Sequence, residues 1–168
     1  MPQIHYLVGD ATEPQGSGNK IIAHVCNDRG GWGSGFVLAL SKKWKEPENE
    51  YRSWFDQLRR DKVLGYPLGQ VQFVELDGDL TVANMIGQHD TKWNGDIPPV
   101  RYDRIRQCLN LVAEHAIKIN ATVHAPRFGA GLAGGHWKTI EGLIEETLIK
   151  AGVEVYIYDL PTETKDAH

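Results

Sequence analysis

Five polar side chains lie on loops and at a strand end that could meet: Asn27, Asp28, Gln88, His89 and His136. Histidine exchanges a proton near neutral pH, so His89 and His136 are candidates for the general base of a hydrolysis, with Asp28 a third titratable group. The amides of Asn27 and Gln88 can orient a water without accepting its proton. Plainer roles stand beside these. His136 precedes Trp137 at a helix start and can cap it, and Asp28 can merely shape its loop.

These residues flank two glycine-rich loops. The first carries Gly30, Gly31, Gly33 and Gly35, with Trp32 and Ser34 between them; the second runs from Arg127 through Phe128, Gly129, Ala130, Gly131, Leu132 and Ala133 to Trp137. Each follows an apolar, strand-like run and precedes a helix. A strand, a glycine loop and a helix N-terminus together let backbone N–H groups point at an anion. Either loop alone can be no more than a tight turn. Two together suggest a ligand with an extended phosphate region gripped from both sides. Neither matches G-x-x-x-x-G-K-[ST] or G-x-G-x-x-G with an acidic ribose partner, which disfavours a P-loop or dinucleotide site. Trp32 and Trp93 can cover a ligand or simply pack.

The positioning elements follow from periodicity. Strands are expected at 4–8, 21–26, 71–76, 80–86, 121–126 and 153–158, and helices at 33–44, 47–60, 100–119 and 137–151. Asp77-Gly78-Asp79 reads as a hairpin turn, Pro98 and Pro99 open the long helix, and Gly152 ends the last one. His24, inside a buried strand, reads as a hydrogen-bonded core histidine. Strands alternating with helices predict a three-layer α/β/α sandwich with a mixed central sheet. The loops after the strands fall at carboxyl ends, where such sheets bind ligands.

A chain of 168 residues fits one domain, placed at 1–160 with a tail at 161–168. A formal net charge of −4 argues against bulk affinity for nucleic acid. Cys26 and Cys108 lie in apolar segments without metal-like spacing and read as buried hydrophobes. No metal or cofactor is expected. With no leader-like start and no apolar run of about 18 residues, a soluble, cytoplasmic monomer is expected.

The motifs VGDAT, IAHVCNDRGGWGSGFVLALSKKW, VANMIGQ, PPVRYD, PRFGAGLAGGHW and VYIYDL, in that order, resemble a macrodomain. They resemble in particular the subfamily of the chromatin-remodeller-type macrodomain and the terminal ADP-ribose protein glycohydrolase. The resemblance covers Ile4 to Leu160 and implies ADP-ribose, or an ADP-ribosylated protein or nucleic acid, as partner. It places Asp10 and Ala11 at the adenine, with Tyr158 to Leu160 near it. Asn27 and Gly31 to Gly35 surround the distal ribose, and Gly129 to Leu132 wrap the diphosphate.

One departure matters. The glycohydrolase's nucleophilic lysine is replaced by Gln88, and its assisting acid by Ala133. A neutral amide cannot act as a nucleophilic amine. The aspartate-rich loop of another macrodomain class is also missing. The resemblance therefore implies an ADP-ribosyl hydrolase without the lysine, with Asn27, Gln88 and His136 as candidate catalytic residues. Its substrates would be acidic protein side chains, O-acetyl-ADP-ribose or thymidine in DNA. A non-catalytic ADP-ribose reader and an ADP-ribose 1″-phosphate phosphatase are the alternatives.

Overall fold

The computed structural model describes residues 1–62, 67–131 and 133–161, so Leu132 and the expected tail beyond Pro161 lie outside the described residues. Strand β2 (Asn19–Asn27) explains the layering. Ile21, Ala23 and Val25 pack into one core, and Ile22 and Cys26 into the other. Both faces are covered, which is why the run is continuously apolar.

The other strands are β1 (Ile4–Val8), β3 (Val71–Glu75), β4 (Leu80–Gln88), β5 (Ala121–Ala125) and β6 (Val155–Asp159). Their order in the sheet is β1-β6-β5-β2-β4-β3. Every neighbouring pair is parallel except the β3–β4 hairpin. Helices α1 (Phe36–Lys43) and α2 (Glu46–Arg60) cover one face through Val37, Leu40, Tyr51 and Phe55. Helices α3 (Tyr102–Ile119) and α4 (Trp137–Ile144) cover the other through Ile105, Leu109, Val112, Ile140 and Ile144. The expected α/β/α sandwich with a mixed sheet is the observed architecture. No helix among the described residues is long and apolar enough to cross a membrane.

Most strand ends and the start of α2 differ from expectation by one or two residues, and three larger or more telling departures in the helices have a local reason. Helix α1 starts at Phe36 rather than at 33, because Gly35 has φ 79° and ψ −145°, which no helix accommodates. Helix α3 starts at Tyr102, because Val100 and Arg101 still donate backbone bonds to Ala133 and Gly87. The last helix widens into a π-helical segment over Glu145–Ile149. There the Thr147 hydroxyl donates to the Leu143 carbonyl at 2.6 Å and competes for the regular ladder acceptor.

His24 is 1% exposed and hydrogen-bonds Asn84 Oδ1 through Nε2 at 2.6 Å. Burial holds its imidazole down at about 4. The unfolded chain therefore takes up a proton below pH ~6.5 that the native state refuses until about pH 4. Stability from this histidine is complete above that window and falls through it by up to ~1.4 kcal/mol per pH unit. Urea unfolding between pH 7 and pH 5 checks this. His24→Gln should show a shallower loss than the wild type over this range, and an equal slope would contradict the assignment.

Candidate functional site

Adjacent strands β2 and β5 send their chains to opposite faces of the sheet. β2 leads into α1 on one side, and β5 leads into α4 on the other. That divergence opens a crevice at the carboxyl ends of the strands. The cleft there has a volume of about 530 Å³, within the range of small-molecule sites. His24, Val25 and Cys26 contribute to its wall, with the two glycine loops and Gln88.

The first loop is held from inside by Asn27. Its Oδ1 accepts the N–H of Arg29 at 2.9 Å and of Gly31 at 3.0 Å, and its Nδ2 donates to the Gly31 carbonyl at 2.9 Å. Tyr51 clamps the same residue by donating to its carbonyl at 2.6 Å. Asn27 does not line the cleft; it sets the curvature of the loop that does. Trp32 does not cover the cleft either. It is 3% exposed in the core beside α1 and α2, and its indole N–H donates to Ser41 Oγ at 2.7 Å. Ser41 in turn donates to Glu48 at 2.9 Å. The indole is the loop's anchor, because burying it gains more than exposing it above a ligand.

The second loop doubles back on itself. The Gly135 N–H donates to the Gly129 carbonyl at 2.8 Å, and a Cβ at Gly135 would overlap that carbonyl oxygen. The segment between β4 and α3 braces it from outside. Trp93 and Pro98 pack on Gly134 so closely that a Cβ there would collide with both. Trp93 remains 53% exposed and is not part of the cleft wall.

Of the expected ligand residues, the structure brings Gly31, Gly33, Ser34, Gly35, Phe128, Gly129, Ala130 and Gly131 to one cleft, with Gln88 beside them. The backbone N–H groups of Gly33, Ser34, Gly35, Gly129, Ala130 and Gly131 donate to no acceptor among the described residues. Helix α1 also begins without a side-chain cap. An unspent set of amides beside an uncapped helix start favours an anion. Among the described residues of the wall, Arg127 is the one cationic side chain, and it is already committed. It pairs with Asp159 through bonds of 2.7 and 2.9 Å, which raises its pKa, and lies over the rings of Tyr6 and Trp137. Amides rather than a free cation therefore supply the positive potential.

The expected adenine group forms a separate cluster at the ends of β1 and β6. Asp10 Oδ1 accepts both the N–H and the hydroxyl of Thr12 at 2.8 Å, and Ala11 is buried. Tyr158 is buried, with its hydroxyl accepting from Gln15 N–H at 2.9 Å and 2.8 Å from His124 Nδ1. Leu160 is 42% exposed. None of the four lines the cleft, but the Arg127–Asp159 pair joins cluster and cleft. Leu132 lies outside the described residues.

Gln88 lines the cleft and donates from Nε2 to the Asp90 carbonyl at 2.9 Å. His136 does not reach it. Its side chain is exposed and makes no capping bond, while its backbone N–H donates to Tyr102 at 2.9 Å. Thr91 and Phe36 also line the cleft without having been expected. Phe36 had only its place after Gly35 to mark it, and Thr91 only its nearness to Gln88. Among the described residues, no group of three or more His, Cys, Asp or Glu is placed to hold a metal ion.

No family model matches the chain. A Bacteroides thetaiotaomicron protein of unknown function superposes with a TM-score of 0.88 at 52% identity, over 95% of this chain and 99% of that one. A Streptomyces coelicolor macrodomain protein superposes with a TM-score of 0.81 at 48% identity, over 94% of this chain and 99% of that one. The chain belongs to the macrodomain family. This macrodomain is also 31% identical over 162 residues to mouse Chromodomain-helicase-DNA-binding protein 1-like, but spans only 18% of that protein's length. The macrodomain of Mycobacterium tuberculosis DarG shares the fold, with a TM-score of 0.69 at 19% identity.

Proposed function

We propose that this macrodomain binds ADP-ribose and hydrolyses the bond joining its distal ribose to a modified substrate. The observation that supports it most is the set of unspent loop amides on both sides of the cleft. They suit a diphosphate, and the Gln88 end of the cleft suits the sugar beyond it. The Thermosipho africanus DarTG structure with the same fold is a complex with ADP-ribose. Candida albicans ADP-ribose 1″-phosphate phosphatase, 24% identical over 150 residues, is a named hydrolytic relative. Gln88 stands where a nucleophilic lysine would be needed for adduct chemistry, so the attacking group here is water. Gln88 Oε1 orients that water, and proximity with loop-amide electrostatics lowers the barrier.

The test offers the purified protein glutamate-linked, O-acetylated and thymidine-linked ADP-ribose and follows release of free ADP-ribose. Release from at least one is expected; binding without release from any would make the protein a reader. Gln88→Ala should lower turnover by about 10-fold or more, or ~1.4 kcal/mol of barrier, with affinity for ADP-ribose nearly unchanged. An unchanged rate removes Gln88 from the mechanism.

A further inference from the structure

We propose that Asp28 and His89 form a general-base pair at the rim of the cleft, with His89 Nε2 taking the proton of the attacking water. This rests on the hydrolase reading above and adds the group that reading lacks. Gln88 cannot accept a proton, the His136 side chain is exposed at the start of α4, and the described residues of the cleft wall include no carboxylate. His24, in the wall, is fully buried and bonded to Asn84.

The geometry is that of an oriented base. The Asp28 side chain is 3% exposed, whereas that of His89 is 47% exposed. Asp28 Oδ2 lies 2.6 Å from His89 Nδ1, and Oδ1 accepts the Asp90 N–H at 2.7 Å. Each carboxylate oxygen thus has its own donor. A carboxylate bonded to Nδ1–H fixes the tautomer that leaves the Nε2 lone pair available. His89 Nε2 has no partner among the described residues. Backbone bonds hold both residues in place: Asp28 N–H donates to the Gln88 carbonyl at 3.0 Å, and His89 N–H to the Pro99 carbonyl at 2.8 Å. The neighbouring Asp90 carboxylate is paired with Arg29 at 3.3 Å and does not compete. His89 does not line the wall itself but lies in the chain between Gln88 and Thr91, which do.

The step balances on an ester of the anomeric carbon. The water oxygen bonds to that carbon as the carbon–acyloxy bond breaks. The side-chain carboxylate leaves with the bonding electrons. The water proton passes to His89 Nε2 and then to solvent, while ionised Asp28 offsets the imidazolium. No acid is needed for such a leaving group. His89 is thus a catalytic residue, and Asp28 a positioning residue.

The experiment uses the whole protein with a glutamyl-linked ADP-ribose ester. His89→Ala should lower kcat by about 10²-fold or more with ADP-ribose affinity within about 2-fold of wild type. Added imidazole should restore part of the lost rate, since the vacated position is open to solvent. Asp28→Asn should lower kcat alone but add little in the His89→Ala background, as expected of coupled residues. Wild-type rate in His89→Ala, parallel loss of affinity, or no rescue by imidazole would each overturn the pair while leaving the hydrolase reading intact. No release by the wild type would overturn both.

Discussion

Gly33→Val is expected to leave the fold intact and to remove ADP-ribose binding. Gly33 lines the cleft, its φ is not in the left-handed region, and a Cβ built on it meets nothing within 4 Å. A branched side chain there enters open space that the ligand requires. The unfolded chain loses some freedom as well, which offsets small strains in the native state. The change in stability should stay within about 1 kcal/mol. Affinity should fall by at least ~100-fold, or ~2.7 kcal/mol. Calorimetric titration and thermal melting on the same sample check both halves. Retained affinity would mean the ligand lies elsewhere; a collapsed melting temperature would mean the loop is not open as described.

Asn27→Ala is expected to act through the fold of the first loop rather than on the chemical step. The substitution leaves the N–H groups of Arg29 and Gly31 without their acceptor and the Gly31 carbonyl without its donor. Each polar group stranded in this partly buried loop costs about 1 kcal/mol or more. Three such groups total about 3 kcal/mol, which lowers Tm by about 6–12 °C in a chain of this size. Affinity should fall in parallel, because the amides of Gly33 to Gly35 no longer converge. An Asn27→Ala variant with wild-type Tm and affinity but no turnover would return Asn27 to direct chemistry.

The layers were legible because burial leaves a periodic mark. β2 is apolar on both sides and is covered on both sides; the hairpin around Gly78 is announced by its turn residues, and Gly78 has φ 72°. The two glycine loops were legible because strand–glycine–helix order forces backbone amides toward the same space. Side-chain direction was not. Trp32 sits between glycines of a cleft-lining loop, yet its indole turns into the core to reach Ser41. His136 and His89 are both polar loop residues in sequence. Only the fold shows that Asp28 holds one of them, while the other stands exposed at the start of α4. Periodicity carries no information about a bond between residues 61 positions apart.

The central claim is that amides from two loops enclose a diphosphate with a ribose beyond it. Calorimetric titration with ADP-ribose and, in parallel, with AMP tests it most directly. The account predicts saturable one-to-one binding of ADP-ribose and far weaker binding of AMP, which lacks the second phosphate and the distal sugar. Equal affinity for the two, or no binding of ADP-ribose, would contradict it.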